Sequence, residues 1–237
     1  MRLDNYLLEH GFAHSRNKAQ ELIASGLVSI DGVVCLKNST KVQDERVRVK
    51  EHRDYVSRSA YKLDAFLDEI SLSVEGRLAL DVGSSTGGFT QVLLERGASE
   101  IYAVDVGRDQ LHSTLRSDNR IKLFEGCDIR NFDAKSGFDL VVSDVSFISL
   151  HHILSKVDEL SCDDIVLLFK PQYEVGKEIK RDRNGVVQDK KAVEMAMLKF
   201  EDSAFLLGWE LVKCSASKLS GKEGNLEYCY YFKKVKP

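Results

Sequence analysis

At 237 residues the chain has room for one large domain and one small one, and its apolar (43%) and charged (30%) fractions are those of a globular protein. A net charge of −3 excludes a global basic field, so any nucleic-acid contact must be local. No apolar run approaches a membrane span, Met1-Arg2-Leu3-Asp4 lacks the order of a signal peptide, and five scattered cysteines form no C-x-x-C pair; a reducing, cytoplasmic setting is expected.

Residues 1–50 predict two helices followed by short strands. Leu3, Leu7 and Leu8 mark the first helix, which Gly11 ends. The second starts at Ser15, a favourable N-cap, turns Ala19, Leu22 and Ile23 inward and stops at Gly26. Val28 to Val34 alternate around Asp31-Gly32, a hairpin signal, and Val42, Val47 and Val49 continue the strands. So small a unit buries little surface and suits binding better than catalysis. The strings R-L-D-x-x-L at Arg2–Leu7, S-R-x-x-A at Ser15–Ala19 and I-x-x-G-x-V at Ile23–Val28, with Asp31-Gly32, resemble the S4 RNA-binding domain. Eight Lys/Arg stand against six Asp/Glu here, a small excess. Arg16 and Lys18 open the second helix, where backbone N–H groups favour phosphate. With Arg2, Lys41 and, further on, Arg58, they are the candidate RNA contacts.

Residues 51–56 are read as a short linker, and 57–237 as the catalytic domain. A helix is expected over Ser59–Ile70, then strands at 78–82, 101–105, 121–125, 138–144 and 164–169. Helices are expected near 88–96, 109–116, 149–160 and 189–207, with two closing strands at Trp209–Cys214 and Tyr228–Phe232 forming an antiparallel edge. This alternation predicts an α/β fold with a mostly parallel seven-stranded sheet covered on both faces.

Asp81 to Thr90 read D-V-G-S-S-T-G-G-F-T between an apolar strand and a helix. A glycine turn there brings bare backbone against a ligand, although a tight turn in any doubly wound sheet has similar needs. Its spacing departs from the dinucleotide G-x-G-x-x-G and resembles motif I of the S-adenosylmethionine methyltransferases. The resemblance implies S-adenosylmethionine held by Asp81, Gly83, Ser84, Ser85, Thr86, Gly87, Gly88, Phe89 and Thr90. Asp105 and Asp128 close the next two strands. Asp105 suits ribose hydroxyls, and the family places an acid like Asp128 near the adenine amino group.

The strand ending Ser143-Asp144-Val145-Ser146-Phe147 has neither the proline turn of amino-group methylation nor a cysteine nucleophile for cytosine carbon. Attack by a hydroxyl remains, and it needs a base or an orienting cation. Lys62, Asp144, Lys170 and Glu227 match, position by position, the K-D-K-E tetrad of the FtsJ-like ribose 2′-O-methyltransferases. The strings R-S-A-Y-K-L, S-D-V-S-F and F-K-P-Q-Y-E-V-G-K support the match. An unperturbed lysine, with a pKa of about 10.4, is a poor base near neutrality. Lys170 is read as the base or orienter of the 2′-hydroxyl, Asp144 as the group fixing it, and Lys62 and Glu227 as positioning groups. Phe147 and Tyr173 suit stacking on a base, or plain packing. No metal is expected, because His151-His152 lack a third ligand at suitable spacing.

The S4-like and FtsJ-like halves together resemble the TlyA (hemolysin A) rRNA methyltransferases over nearly the whole chain. That resemblance implies 2′-O-methylation of cytidine in 23S and possible 16S ribosomal RNA, with the rRNA or a ribosomal subunit as partner and no obligate protein partner. The chain's short ends resemble members restricted to the large-subunit target. Asn184-Gly185 replaces the family's usual glycine pair. Other readings are an enzyme for small hydroxyl or amino substrates, a non-catalytic ribosome assembly factor, and a membrane-lytic protein.

Overall fold

A computed structural model describes residues 1–13, 15–43, 45–50 and 55–235. The chain divides into two units, Met1–Arg58 and Ser59–Pro237. Of the expected linker at 51–56, residues 51–54 lie outside the described residues.

In the first unit, α1 (Leu3–Glu9) and α2 (Arg16–Ala24) pack on a sheet of β1 (Val28–Ile30), β2 (Val33–Val34) and β3 (Val47–Val49), ordered β2-β1-β3. Ser15 caps α2 by accepting the Lys18 N–H at 3.1 Å, which satisfies one of the donors left free at a helix start. Asp31 and Gly32 both have positive φ (49° and 85°), so β1 and β2 join through a primed turn with Ile30 opposite Val33. Leu3, Leu7, Ala19, Leu22, Ile23 and Val28 close the small core, as their helical spacing predicts. Val42 joins that core too, but from outside the named strands.

All but the first residue of α3 (Arg58–Ile70) belongs to the second unit, and its Ala60, Leu63, Phe66 and Leu67 form one buried stripe. Five parallel strands follow: β4 (Leu78–Val82), β5 (Glu100–Asp105), β6 (Ile121–Glu125), β7 (Phe138–Ser143) and β8 (Ser161–Phe169). With β9 (Trp209–Ala216) and β10 (Tyr228–Lys234) they make one sheet ordered β6-β5-β4-β7-β8-β10-β9. Chain order reverses at β4, with β5 on one side and β7 on the other, and ligands of open α/β sheets bind at such a switch point. β10 runs antiparallel to β8, so its beginning lies beside the end of β8, with Tyr228 opposite Phe169.

Helices α4 (Gly88–Glu95), α5 (Ser113–Arg116), α6 (Leu154–Leu160), α7 (Pro171–Glu174) and α8 (Lys190–Leu206) complete the unit. Three expectations change here. The helix expected at 109–116 shrinks to Ser113–Arg116, because Asp109 takes a left-handed φ of 57° and His112 caps the segment with its side chain. The helix expected at 149–160 is a 3-10 turn at Leu150–His152, capped by Ser149, and then α6. The fifth strand starts earlier than expected, at Ser161.

Gly87 ends the glycine loop at φ 94°, and a Cβ there would lie 2.4 Å from Leu115 Cδ1 and 2.7 Å from Leu111 Cδ1, both buried leucines. Gly185 shares the left-handed backbone (φ 83°) but has no atom within 4 Å of such a Cβ. Gly87→Ala is therefore expected to destabilise the protein by about 2–5 kcal/mol, strain and overpacking combined, and Gly185→Ala by about 1–2 kcal/mol, strain alone. Urea unfolding of the two variants measures the difference, and equal losses would remove the packing argument.

Candidate active site

The strand ends of the large unit enclose a cavity of about 530 Å³, within the range of small-molecule sites. Gly83 and Ser85 contribute to its wall from the glycine loop, Asp105 and Asp128 from the ends of β5 and β6, and Asp144 and Phe147 from the end of β7. Thr86 is exposed, whereas Asp81, Ser84, Gly87, Gly88, Phe89 and Thr90 are buried and do not line the cavity. These buried residues shape the loop from behind, since α4 carries Phe89 and Thr90 inward on its first turn. A Cβ on Gly83 would meet Val145 Cγ1 at 3.0 Å, so bare backbone is needed where the loop faces the end of β7.

Asp105 accepts the Ser85 N–H of the glycine loop at 2.9 Å through Oδ2 and the Gly107 N–H of its own following turn at 2.6 Å through Oδ1. Each oxygen keeps a second lone-pair direction for a hydroxyl donor. Asp128 caps a 3-10 turn by accepting Arg130 N–H and is held by the Arg130 guanidinium, which keeps its carboxyl below the usual range. Val106, Gln110, Cys127, Ile129 and Arg130 also line the cavity and were missed in the sequence, since nothing in their types or spacing distinguishes them.

Asp81 is fully buried. Its Oδ2 accepts the Thr90 hydroxyl at 2.6 Å, while Oδ1 has no partner among the described residues. The hydroxyls of Ser84 and Ser143 are likewise buried without a partner among the described residues. Ser143 is paired with Val82 across β7 and β4, so these orphaned groups sit on neighbouring strand ends. Buried polar groups without partners are rare in a finished fold, and such a cluster suits a ligand that brings donors. Burial, opposed by the Thr90 hydroxyl and reinforced by Asp144 and Asp105, pushes the Asp81 carboxyl up to about 7.

The tetrad residues meet as two ion pairs. Lys62 Nζ donates to Glu227 Oε2 at 2.5 Å, and Lys170 Nζ lies 2.5 Å from Asp144 Oδ1 while donating to Ser146 Oγ at 2.8 Å. Lys62, Lys170 and Glu227 are at most 8% exposed and do not line the cavity; Asp144 does. The Cys229 thiol registers both pairs: burial pushes it up to about 12, Lys62 opposes, and Asp144 and Glu227 add to the rise. Topology explains the meeting. Asp144 follows β7, Lys170 follows β8 and Glu227 precedes the antiparallel β10, which are three adjacent strands. Lys62 reaches them from the buried face of α3.

In the small unit, Arg2, Arg16 and Lys41 are exposed. Arg2 and Lys41 face each other in a backbone bridge, and Arg2 and Arg16 both bond the buried Asp4, at 2.9 and 3.1 Å. Lys18 departs from the expected phosphate-facing position. It is buried, with Nζ donating to Tyr55 O at 3.3 Å and lying 3.7 Å from Glu21. Its place on the inner side of α2 beside Ala19 turns it inward. Arg58 is half-buried at the start of α3. Among the described residues no three His, Cys, Asp or Glu side chains gather as a metal site.

A seven-stranded sheet of this order, with a glycine loop and a cavity at its switch point, defines a methyltransferase of Rossmann-like fold. The chain matches the FtsJ-like methyltransferase family over residues 55–234 and the S4 domain over residues 1–47. It is 44% identical over 238 residues to the 23S rRNA (cytidine-2′-O)-methyltransferase TlyA of Campylobacter jejuni, covering 92% of this chain and 94% of that one. The 16S/23S rRNA (cytidine-2′-O)-methyltransferase TlyA of Mycobacterium tuberculosis is also 44% identical, over 96% of this chain and 87% of its own. A solved structure from Streptococcus thermophilus that carries the hemolysin name matches with a TM-score of 0.75 at 33% identity, over 100% of this chain and 89% of that one. The chain belongs to the FtsJ-like methyltransferases and, within them, to the TlyA family.

The raised Asp81 carboxyl has a measurable consequence. Between about pH 4 and 7 the folded, ligand-free protein keeps a proton that the unfolded chain has released, so stability falls as pH rises through that window and levels above it. Each unit of pKa difference is worth about 1.4 kcal/mol. Asp81→Asn is expected to flatten this part of the profile in thermal melts of the ligand-free protein between pH 5 and 8. Parallel profiles for the variant and the wild type would exclude the raised pKa.

Proposed function

We propose that the protein methylates the ribose 2′-oxygen of cytidine in ribosomal RNA, with S-adenosylmethionine as donor, in the cytoplasm where its free cysteines stay reduced. The observation that carries this reading is the buried ion pair Lys62–Glu227 and the partly buried pair Lys170–Asp144, beside a cavity that Asp144 itself lines. Relatives at 44% identity bear the name of this activity.

When bound, S-adenosylmethionine supplies an electrophilic methyl group on a sulfonium. The residues present suit it: Asp105 accepts from ribose hydroxyls, Asp128 lies on the adenine side, and Asp81, Ser84 and Ser143 offer unused polar groups to the amino-acid end. Gly83 and Ser85 contribute the backbone wall, while Thr86, Gly87, Gly88, Phe89 and Thr90 hold the loop's shape. Lys170 Nζ meets the 2′-hydroxyl as its orienter, or as its base once the ammonium has lost a proton to water, with Asp144 balancing the charge. Lys62 and Glu227 neutralise each other and position the ribose. Phe147, 90% exposed at the cavity rim with a left-handed φ of 66°, presents a ring to the target base.

Arg2, Arg16 and Lys41 of the S4 domain would take RNA phosphate, and Arg58 adds a basic group at the head of α3. A membrane-lytic reading finds no support in the helices, since among the described residues none is long and apolar enough to cross a membrane.

Lys170→Ala separates an enzyme from a non-catalytic assembly factor. The variant is expected to lose methyl transfer by at least about 100-fold, the usual worth of a positioned acid or base, while S-adenosylmethionine and RNA binding persist. Mapping ribose methylation on rRNA from cells carrying the wild-type or variant chain reads this out. Unchanged methylation in the variant would overturn the assignment of Lys170.

A further inference from the structure

Immediately after Lys170 the chain makes the four-residue helix α7, and its side chains bond back to the loop that follows Asp144. Glu174 accepts the Ser149 hydroxyl at 2.6 Å through Oε2 and the Leu150 N–H at 2.8 Å through Oε1. Tyr173 stands one residue earlier, with its ring centroid 5.5 Å from that of Phe147; burial raises its phenol pKa, and the neighbouring Ser146 hydroxyl and Phe147 backbone amide oppose that rise. Its own N–H is bonded to Lys170 O at 2.9 Å. Ser146 in turn accepts from Lys170 Nζ at 2.8 Å.

The two strand ends that deliver Asp144 and Lys170 are thus joined twice, once through Glu174 and once through Tyr173. Phe147 needs such a joint, because a bulky residue at φ 66° is strained and holds that conformation only when its surroundings impose it. Lys170 needs it as well. An ammonium group on a flexible stem rotates readily, and the bond to Ser146 together with the Asp144 carboxylate 2.5 Å away restricts where its remaining hydrogens point.

We propose that Tyr173 and Glu174 are positioning residues for the methyl transfer, acting through Ser146 to aim the Lys170 ammonium and through the Phe147 backbone to hold the rim aromatic outward. Neither residue touches the reacting atoms. The inference rests on the proposed ribose methylation and adds the device that aligns its central lysine. Burial holds the Glu174 carboxyl above its ordinary range, against the pull of Leu150 N–H and the Ser149 hydroxyl, as befits a group enclosed between two loops.

Tyr173→Phe keeps the ring and removes only the hydroxyl. With the wild-type full chain and rRNA as substrate, this variant is expected to lose about tenfold in kcat, with KM for S-adenosylmethionine changed less than twofold. Ser146→Ala should show a similar loss, and the double variant should lose no more than the worse single one, because both act on one lysine. Glu174→Ala should lose kcat, and Glu174→Gln, which retains an acceptor for Leu150 N–H and a donor for Ser149, should recover most of it. An active wild type with unchanged kcat in Tyr173→Phe, or with strictly multiplicative losses in the double variant, overturns this inference alone. A wild type that transfers no methyl group overturns the proposed activity and this inference with it.

Discussion

Four charged side chains meet where the large sheet ends, and burying them without partners would cost several kcal/mol each. Pairing removes that penalty only if both members arrive at the same depth, so the constraint falls on topology. The antiparallel turn of β10 answers it. Were β10 parallel to β8, Glu227 at its start would lie at the opposite edge of the sheet from Lys170 and Asp144. Because Tyr228 faces Phe169, Glu227 instead lies at the level of Lys170, and Lys62 reaches it from the buried stripe of α3. A reversed strand, often seen as a way to close a sheet, here completes a charge-balanced group.

The same strand ends are incomplete in another way. Asp81 Oδ1 and the Ser84 and Ser143 hydroxyls lack partners among the described residues, and the Asp81 carboxyl has risen to about 7 in consequence of its burial. A fold optimised only for stability would pair these atoms or replace them with apolar groups. Their persistence beside a cavity bounded by Asp105 and Gly83 is what a site looks like when part of its hydrogen bonding belongs to a ligand.

Much of this was legible in the sequence because it is carried by local order. The strand–glycine–helix sequence at Asp81–Thr90 and the Asp31-Gly32 turn each follow from residues near one another in the chain, whereas the four tetrad positions, spread over residues 62 to 227, were legible only through the resemblance to the FtsJ-like family. What was not legible depends on packing between distant segments. Lys18 at a helix start suggests an outward cation, yet its place beside Ala19 on the inner face turns it to Tyr55 O. The helix expected from residue 109 fails because the segment folds back, with Leu111 and Leu115 buried against the glycine turn. The links through Tyr173 and Glu174 had a faint signal, since the strings that carry Asp144 and Lys170 also contain Ser146, Tyr173 and Glu174. Only the pairing of β7 with β8 makes the two strings neighbours.

A chain of net charge −3 is an unpromising ligand for RNA, and the S4 domain meets that difficulty through geometry rather than charge count. Asp4 is buried and accepts from Arg2 twice, from Arg16, from Gln20 and from the Asn5 N–H, and the Arg2 guanidinium above all holds its carboxyl far below the usual range. One negative charge therefore sits inside while two arginine side chains, 44% and 52% exposed, are fixed at the surface. The cluster of Arg2, Arg16 and Asp4 carries a net charge of +1, and its cations stand at the surface, nearer an approaching phosphate than the enclosed carboxylate. A guanidinium has five donors, and the bonds to Asp4 leave the remaining ones aimed outward with little rotamer entropy left to lose on binding. Composition undercounts this face because it weighs a buried carboxylate equally with an exposed arginine.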